Sequence, residues 1–468
     1  MKLISVTEAK KLKIHEVQSL YRDYISNSQV ELIGSFGFGQ DLADWSQGSW
    51  IYTRSGKKVL DMTGGIGVLN HGHNHPRIIE ARQLFQAEKR MEVHKNFLSP
   101  YLAALSHNVA KLMPSKLNKS FFPNSGAEAV EGAVKMAFKY HNGERHTLLH
   151  ADISFHGKLL GAGSLTGSPE NHFPYPKIPD TKSFIYDDVD SLETKLAEHR
   201  GDVYAVIIEP LNASSMRQCS KAFMQILRQH CDKEDIVLIF DEVYTGWGKT
   251  GTMFHFEKYC VEPDIVTYAK SFGGGKASIS GYSADDKIFA RAYDNLNDAT
   301  LHSTTYYGFG EETVTAIEAV NICVEDDFPG KAREIGQILE HELLTLQARH
   351  SSVIKEIRGA GALWGLIFQS TFIEQAISAT ARLLPISVLK DPLFGKKLIT
   401  GFIISRLYEE FGVLTYYGSN FEIPLKISPP LTVTTEEIKY AVNSLGAVLE
   451  HGLVSNIYEF VKTKYSVR

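Results

Sequence analysis

No stretch of about 18 uncharged apolar residues occurs in this 468-residue chain, so no segment reads as a membrane-spanning helix. The amino terminus, Met1-Lys2-Leu3-Ile4-Ser5-Val6-Thr7-Glu8, meets charge before any apolar run of signal length, which makes the expected location cytoplasmic. Cysteine is scarce. The four present, Cys219, Cys231, Cys260 and Cys323, have neither disulfide-framework nor metal-ligand spacing and read as reduced thiols packed as small apolar groups. A basic tract is missing too: Lys+Arg 49 against Asp+Glu 54 leave a net charge of −5, which points away from nucleic acid as a partner. Repeats and low-complexity tracts are absent from the sequence.

What is there is enough apolar material, 43% of the chain, for one large domain with a smaller companion. The first thirty or so residues predict an amphipathic helix opened by Thr7 and carrying Leu12, Val17, Leu20 and Tyr21, an outer arm. Trp50-Ile51-Tyr52-Thr53 and Val59-Leu60-Asp61-Met62, separated by the polar turn 54–58, predict a hairpin. From there to about residue 330, short apolar runs alternate with helical segments. Phe121-Phe122, Thr147-Leu148-Leu149, Val203 to Ile208, Val237 to Phe240 and Ile265 to Tyr268 are those runs, and they predict an α/β fold with a mainly parallel sheet buried on both faces. After Pro329 the pattern turns helical, then mixed, and ends in an amphipathic helix from about Ile438 to Tyr465. The expected division is residues 1–64 as arm and part of a small domain, 65–330 as the large domain, and 331–468 as the C-terminal small domain.

The chemistry gathers at the ends of the apolar runs. Lys270 closes the run Pro263 to Ala269, with Ser271-Phe272-Gly273-Gly274-Gly275 directly behind it, and the run Val237 to Phe240 delivers Asp241 and Glu242 to what is expected to be the same sheet edge. Such a pair suits pyridoxal phosphate, which needs an amine to hold its aldehyde and a fixed anion to keep its pyridine nitrogen protonated. An ordinary salt bridge would use the same residue types. Phe122-Pro123-Asn124-Ser125-Gly126-Ala127-Glu128 leads from a strand through a turn into a strong helix, so unpaired amides and a hydroxyl at a positive helix end make a phosphate seat, or simply a capped helix. In Ser154-Phe155-His156-Gly157-Lys158 the aromatic suits stacking on a cofactor ring, worth about 1 kcal/mol, although a loop aromatic more often packs inward. Glu209-Pro210 puts another carboxylate at a strand end, and His302-Ser303-Thr304-Thr305-Tyr306-Tyr307-Gly308 supplies hydroxyls for phosphate or a plain polar loop.

Two other chemistries fit less well. Phe272-Gly273-Gly274-Gly275-Lys276-Ala277 lacks both the first glycine of a nucleotide phosphate loop and the Ser/Thr after its lysine, which argues against an ATPase. His71-Gly72-His73-Asn74-His75-Pro76 has three alternate histidines but no nearby cysteine or carboxylate to complete a zinc site, so no metal is expected.

In this order and spacing the segments resemble the class III pyridoxal-phosphate aminotransferases, the fold-type I group containing ornithine, 4-aminobutyrate and putrescine aminotransferases. The resemblance runs from Gly64-Gly65-Ile66-Gly67 to Ser428-Pro429-Pro430-Leu431-Thr432, and Ile239 to Gly251 is its most specific segment. It implies a large domain with a mainly parallel mixed sheet flanked by helices, plus a smaller α+β domain built from N- and C-terminal segments. It also implies small-molecule amine and aldehyde or keto substrates. Under it, Lys270 holds the cofactor and shuttles the substrate proton, and Asp241 holds the pyridine nitrogen. Ser125, Gly126 and Ala127 match the phosphate turn and Phe155 the stacking aromatic, while His156, Glu209 and Val243 join the cofactor pocket. Thr305 matches a threonine that reaches a phosphate in the other subunit, so the implied assembly is a homodimer with shared active sites.

The departures bear on substrate. Relatives that act on α-amino acids or glutamate carry an arginine where this chain has Lys426, and lysine cannot reproduce the bidentate fork on a carboxylate. The glutamate that neutralises that arginine in several relatives is Ser214 here, a glutamine near the cofactor's phenolic oxygen is Tyr244, and the usual Asn-Pro is missing from Tyr306-Tyr307-Gly308-Phe309-Gly310. An apolar-rich stretch from about Phe372 to Thr400, including Leu383 to Leu389, is longer than in many relatives and is a candidate lining or lid. Lys426 is accordingly a candidate substrate-binding residue. The expected activity is an ω-transaminase acting on the terminal aldehyde of a mainly apolar molecule in specialised metabolism. Its alternatives are a diamine or ornithine-type enzyme using 2-oxoglutarate, another fold-type I activity such as an aminomutase, or a protein that keeps the fold without turnover.

Overall fold

The computed structural model describes residues 3–167, 176–381, 391–450 and 453–464. Its centre is a seven-stranded sheet: β1 Lys119–Phe121, β2 Thr147–Ala151, β3 Thr181–Phe184, β4 Val203–Ile208, β5 Val237–Asp241, β6 Ile265–Tyr268 and β7 Gly281–Ala284. The spatial order is β1-β7-β6-β5-β4-β2-β3. β7 runs antiparallel to both its neighbours and every other pairing is parallel, so the sheet is mixed and mainly parallel as expected. β4, β5 and β6 are buried at every residue, which is what a continuous Val/Ile/Leu run requires when helices cover both faces. Helices Gly126–Tyr140, Val189–Glu198 and Lys221–Glu234 fall between consecutive strands, giving the long connections that parallel pairing needs.

Two strands carry no aliphatic signal. β3, Thr181-Lys182-Ser183-Phe184, is an edge strand and stays polar. β7, Gly281-Tyr282-Ser283-Ala284, is buried and sets one large aromatic, Tyr282, among small residues, with Ser283 Oγ bonded to Ser120 Oγ at 2.8 Å and to the Tyr268 hydroxyl at 2.9 Å.

Two four-stranded sheets accompany this one, besides a two-stranded ribbon of Leu211–Asn212 and Arg217–Gln218. The predicted hairpin forms as Trp50–Thr53 against Lys58–Asp61, with Ala43–Gln47 outside it and Val413–Leu414 running parallel to Lys58–Asp61 on the other side. Segments from the two ends of the chain therefore share one sheet. The second is antiparallel, ordered Ile354–Ala360, Leu363–Phe368, Leu425–Ile427, Tyr416–Tyr417.

The arm differs from its prediction. It is three helices, Val6–Ala9, Ile14–Tyr24 and Asn27–Ser35, and the first cap is Ser5 rather than Thr7. Ser5 Oγ accepts from the Glu8 amide at 3.2 Å while the Glu8 carboxylate accepts from the Ser5 amide at 2.9 Å. Lys10, Lys11 and Lys13 lie between the first two helices, where like charges one turn apart oppose continuation. The single terminal helix expected from Ile438 to Tyr465 is likewise two, Thr435–Val448 and Leu453–Lys464, the former opened by a Thr434/Glu437 capping box.

Of the stretch 372–400, Leu383 to Leu389 lie outside the described residues. The described part packs inward: Phe372 and Ala376 of helix Ser370–Thr380 are buried, and a Cβ on Gly395 of helix Phe394–Phe411 would meet Ile377 at 2.4 Å. Among the described residues no helix is long and apolar enough to cross a membrane.

Candidate active site

Register sets the site. β5 and β6 are parallel with Asp241 opposite Thr267, so Asp241 and the residues following Thr267 emerge at the same C-terminal sheet edge. Lys270 comes just past that edge, opening a single 3-10 turn, Lys270–Gly273, with φ at +51°, a left-handed conformation uncommon for a side chain with a Cβ. The glycines behind it serve packing rather than phosphate: a Cβ on Gly274, at φ +58°, would lie 2.5 Å from Ile78 Cδ1. A cavity of about 540 Å³ opens at this edge. Ser125, Gly126, Ala127, Phe155, His156, Glu209, Asp241, Val243, Lys270 and Lys426 all line it. Thr305 does not; it is exposed on its loop.

The carboxylates at this edge part ways. Asp241 faces the cavity, its Oδ1 accepting from the Val243 amide at 3.0 Å and from Thr267 Oγ1 at 3.2 Å, its Oδ2 from His156 Nδ1 at 2.7 Å. Glu242 turns away, accepting from the Phe256 amide at 2.8 Å and from Thr245, and burial pushes its carboxyl up to about 7. The His156 side chain is fully enclosed, and its Nε2 has no partner among the described residues. Burial opposes charge on that imidazole, but the hydrogen bond and charge of Asp241, aided by Glu209, outweigh it and raise its pKa. Glu209 is fixed by the Phe155 amide at 2.9 Å, Asn212 Nδ2 at 2.6 Å and the Ala213 amide at 3.3 Å. Burial, reinforced by Asp241 and opposed by His156, holds its carboxyl above the usual range.

At the start of helix Gly126–Tyr140, Ser125 caps the first turn, its Oγ accepting from the Glu128 amide at 3.3 Å and donating to the Glu128 carboxylate at 2.9 Å. The amides of Gly126 and Ala127 belong to the first turn, where a helix supplies no acceptor, and they border the cavity. Gly126 has no room for a side chain, since a Cβ would sit 2.9 Å from Val243 Cγ1. Gly157, at φ +130°, lets the Phe155-His156 loop close against Ala127, whose Cβ lies 2.7 Å from where a Gly157 Cβ would be.

Tyr244 stands between two amines. Lys270 Nζ and Lys426 Nζ each lie 4.3 Å from its ring centroid. A Cβ on Gly67 would be 2.7 Å from that ring, so the tyrosine fits only because position 67 is glycine. Its hydroxyl bonds Ser428 Oγ at 3.2 Å and the Tyr416 hydroxyl, and burial raises it to about 12. Tyr416 is the cross-strand partner of Lys426, whose Nζ lies 4.7 Å from the Tyr416 ring and donates to the Ala213 carbonyl at 2.6 Å. Burial pushes Lys270 down to about 8 against the pull of Asp241 and Glu209. A third amine, the buried Lys249, donates to the Pro429 carbonyl at 2.7 Å and is pushed down to about 7, also by burial. Tyr416 carried no sequence signal; Ser428 and Lys249 lie in segments that carry the family resemblance but had no role assigned to them.

A half-buried amine whose pKa is lowered to about 8, a carboxylate gripped by three donors, an orphaned imidazole nitrogen and a helix start where a Cβ would clash form a cradle that fits pyridoxal phosphate. Fold and site together define a fold-type I pyridoxal-phosphate enzyme. The aminotransferase class-III family model matches residues 42–449, and the chain belongs to that family of pyridoxal-phosphate-dependent transaminases. It is 30% identical over 446 residues to a putrescine aminotransferase of Pectobacterium atrosepticum, covering 93% of this chain and 88% of that one. Among solved structures, the ornithine aminotransferase of Toxoplasma gondii superposes with a TM-score of 0.77 at 20% identity, covering 95% of this chain and 98% of that one. A transaminase from the marine bacterium Virgibacillus gives 0.74 at 20% identity, covering 91% and 93%.

Proposed function

We propose that this class III aminotransferase is an ω-transaminase of specialised biosynthesis, moving an amino group from an amine donor onto the terminal aldehyde of a mainly apolar molecule. The observation that carries the reading is Lys426: the amine standing where relatives clamp a carboxylate with arginine is buried, has one carbonyl partner and is walled by Tyr244 and Tyr416. Ser214 gives the same wall a neutral hydroxyl bonded to Asn212 Oδ1 at 2.9 Å. Val68, Val243, Ala269 and Ile279 supply apolar lining.

When bound, pyridoxal phosphate supplies an electron sink for charge developing at the substrate carbon. Lys270 would hold the cofactor through its aldehyde and, once freed by the donor, would take and return the substrate proton; burial favours the neutral amine this requires. Asp241, oriented by His156, Val243 and Thr267, holds the ring nitrogen. The amides of Gly126 and Ala127 would bind its phosphate, joined by the Ser125 hydroxyl once that turns from Glu128, Phe155 would face the ring, and Glu209 and Val243 would complete the pocket.

The working unit in this reading is a cytoplasmic homodimer in which Thr305 reaches the neighbouring site. Its exposed position, with Phe97 69% exposed and Leu98 and Leu296 fully so, supports coverage by a second copy. In this reading residues 65–330 form the large domain, 1–64 the arm and part of the small domain, and 331–468 the rest of the small domain, a division supported by the strand pairing of Val413–Leu414 with Lys58–Asp61.

A second reading, a diamine aminotransferase using 2-oxoglutarate, is favoured by the name of the putrescine aminotransferase relative. Steady-state rates across aldehydes and keto acids separate the two. Faster turnover of medium-chain aldehydes is expected; a clear preference for 2-oxoglutarate would overturn the proposal in favour of the second reading.

A further inference from the structure

The amine of Lys426 is an unusual group to bury. Its strand, Leu425–Ile427, is enclosed at every residue, and its Nζ uses one donor on the Ala213 carbonyl at 2.6 Å. The remaining donors find aromatic faces: Tyr416 from the neighbouring strand and Tyr244 from the loop after β5. The charged groups that face it are Lys270 beyond the Tyr244 ring, Lys249 from the turn after Trp247, and Glu209 from the end of β4. Glu209 is the one carboxylate among these, and it is already committed to the Phe155 and Ala213 amides and to Asn212. Among the described residues no carboxylate forms an ion pair with Lys426. Yet the residue lines the same cavity as Lys270, so whatever enters can meet it.

A buried cation without a counterion is costly, and an amine, unlike a guanidinium, can shed that cost by losing its proton. Burial, with Lys270 adding repulsion, lowers Lys426 well below the ordinary lysine range. A carboxylate placed beside it reverses the balance, because an opposite charge favours the protonated form.

Resting on the reading of the cavity given above, we propose that Lys426 makes this end of the site a proton-gated subsite: an uncharged substrate end enters as it is, whereas a carboxylate enters only beside a protonated Lys426, which takes up one proton on binding wherever the amine is neutral beforehand. The sign follows from the two states. Below the lowered pKa of the empty site the amine is already charged, and a carboxylate binds without proton uptake. Between that value and the higher one of the carboxylate-bound site, each rise of one pH unit weakens carboxylate binding by about tenfold. Uncharged ends feel no such change. An arginine at 426 would stay charged throughout and remove the gate. The choice between an anionic and a neutral partner therefore shifts with pH, toward carboxylates in acid and toward aldehydes in alkali.

Calorimetric titration of the holoenzyme with pentanoate, in pairs of buffers that differ in ionisation enthalpy, counts the protons bound. Wild type is compared with Lys426→Arg and Lys426→Met. Any uptake shared by all three reports Lys270 and the cofactor. The expected result is about one further proton in wild type alone, with pentanoate affinity falling about tenfold per pH unit relative to Lys426→Arg, and weak, pH-insensitive residual binding to Lys426→Met. Equal proton counts in wild type and both variants, or no pentanoate binding to wild type at any pH, would overturn the proposal. The proton count is independent of turnover, so it can fail while the aldehyde preference stands, and the reverse.

Discussion

The cavity has two kinds of wall. At the strand-end wall Asp241 is met by the Val243 amide, Thr267 and His156, and Glu209 by two amides and an asparagine, so each carboxylate has its orientation set by several donors. On the wall carried by Leu425–Ile427, Lys426 has a single carbonyl and two aromatic faces. Saturated groups are held in one state and one position; a sparsely bonded amine can change protonation with what binds beside it. The difference teaches where family chemistry ends and this chain's own selectivity begins. In the proposed reading, attachment and proton transfer sit on the first wall and the choice of substrate end on the second.

The comparison breaks most visibly at Asp241. Asp241→Asn leaves the size of the group but removes its charge, and turnover is expected to drop roughly 10²- to 10⁴-fold with the cofactor still bound. A variant within about a few-fold of wild type would place the ring-nitrogen partner elsewhere. Gly126→Ala probes the tightness of the same wall. Its Cβ would press on Val243 Cγ1 at 2.9 Å, and strain of about 1–3 kcal/mol should weaken pyridoxal phosphate binding to the apoenzyme, with Val243→Ala on the same chain recovering part of it. Titration of apoenzyme by absorbance measures both; unchanged affinity in Gly126→Ala would mean that the helix start yields freely.

The smallest effect is electrostatic. Because the folded-state pKa of His156 is raised, its contribution to stability is fully present below the unfolded value of about 6.5 and fades as pH rises through the folded one. The melting-temperature gap between wild type and His156→Gln should therefore be widest in mild acid and narrow in alkali. In a chain of this length each kcal/mol is worth only about 1 °C. A gap that widened with pH would contradict the His156–Asp241 pairing.

Much of the first wall was legible in the sequence because charge at the end of an aliphatic run is a strong local signal: Asp241 and Lys270 close such runs, and parallel register brings them to one edge. Twelve of the residues that the sequence singles out line one cavity, Ser214 and Tyr244 among them, and Thr305 stands apart from it in the single chain. The second wall was only half legible. Lys426 and Tyr244 stood out as departures from a family pattern, but Tyr416 lies on a two-residue strand whose pairing no periodicity announces. Lys249 lay within the segment most specific to the family resemblance but had no role assigned, although it is buried against the Ser428 and Pro429 carbonyls. The strands missed, β3 and β7, are those whose places in the sheet are held by polar or small residues rather than by aliphatic bulk.

Three lysines, the buried Lys249 and Lys426 and the half-buried Lys270, gather around Tyr244 and Ser428, and the account assigns the cofactor to one of them. Borohydride reduction of the holoenzyme followed by peptide mapping by mass spectrometry decides which. The pyridoxyl mass should fall on Lys270, with Lys249 and Lys426 unmodified; its appearance on either of the other two, with Lys270 free, would contradict the account at its centre.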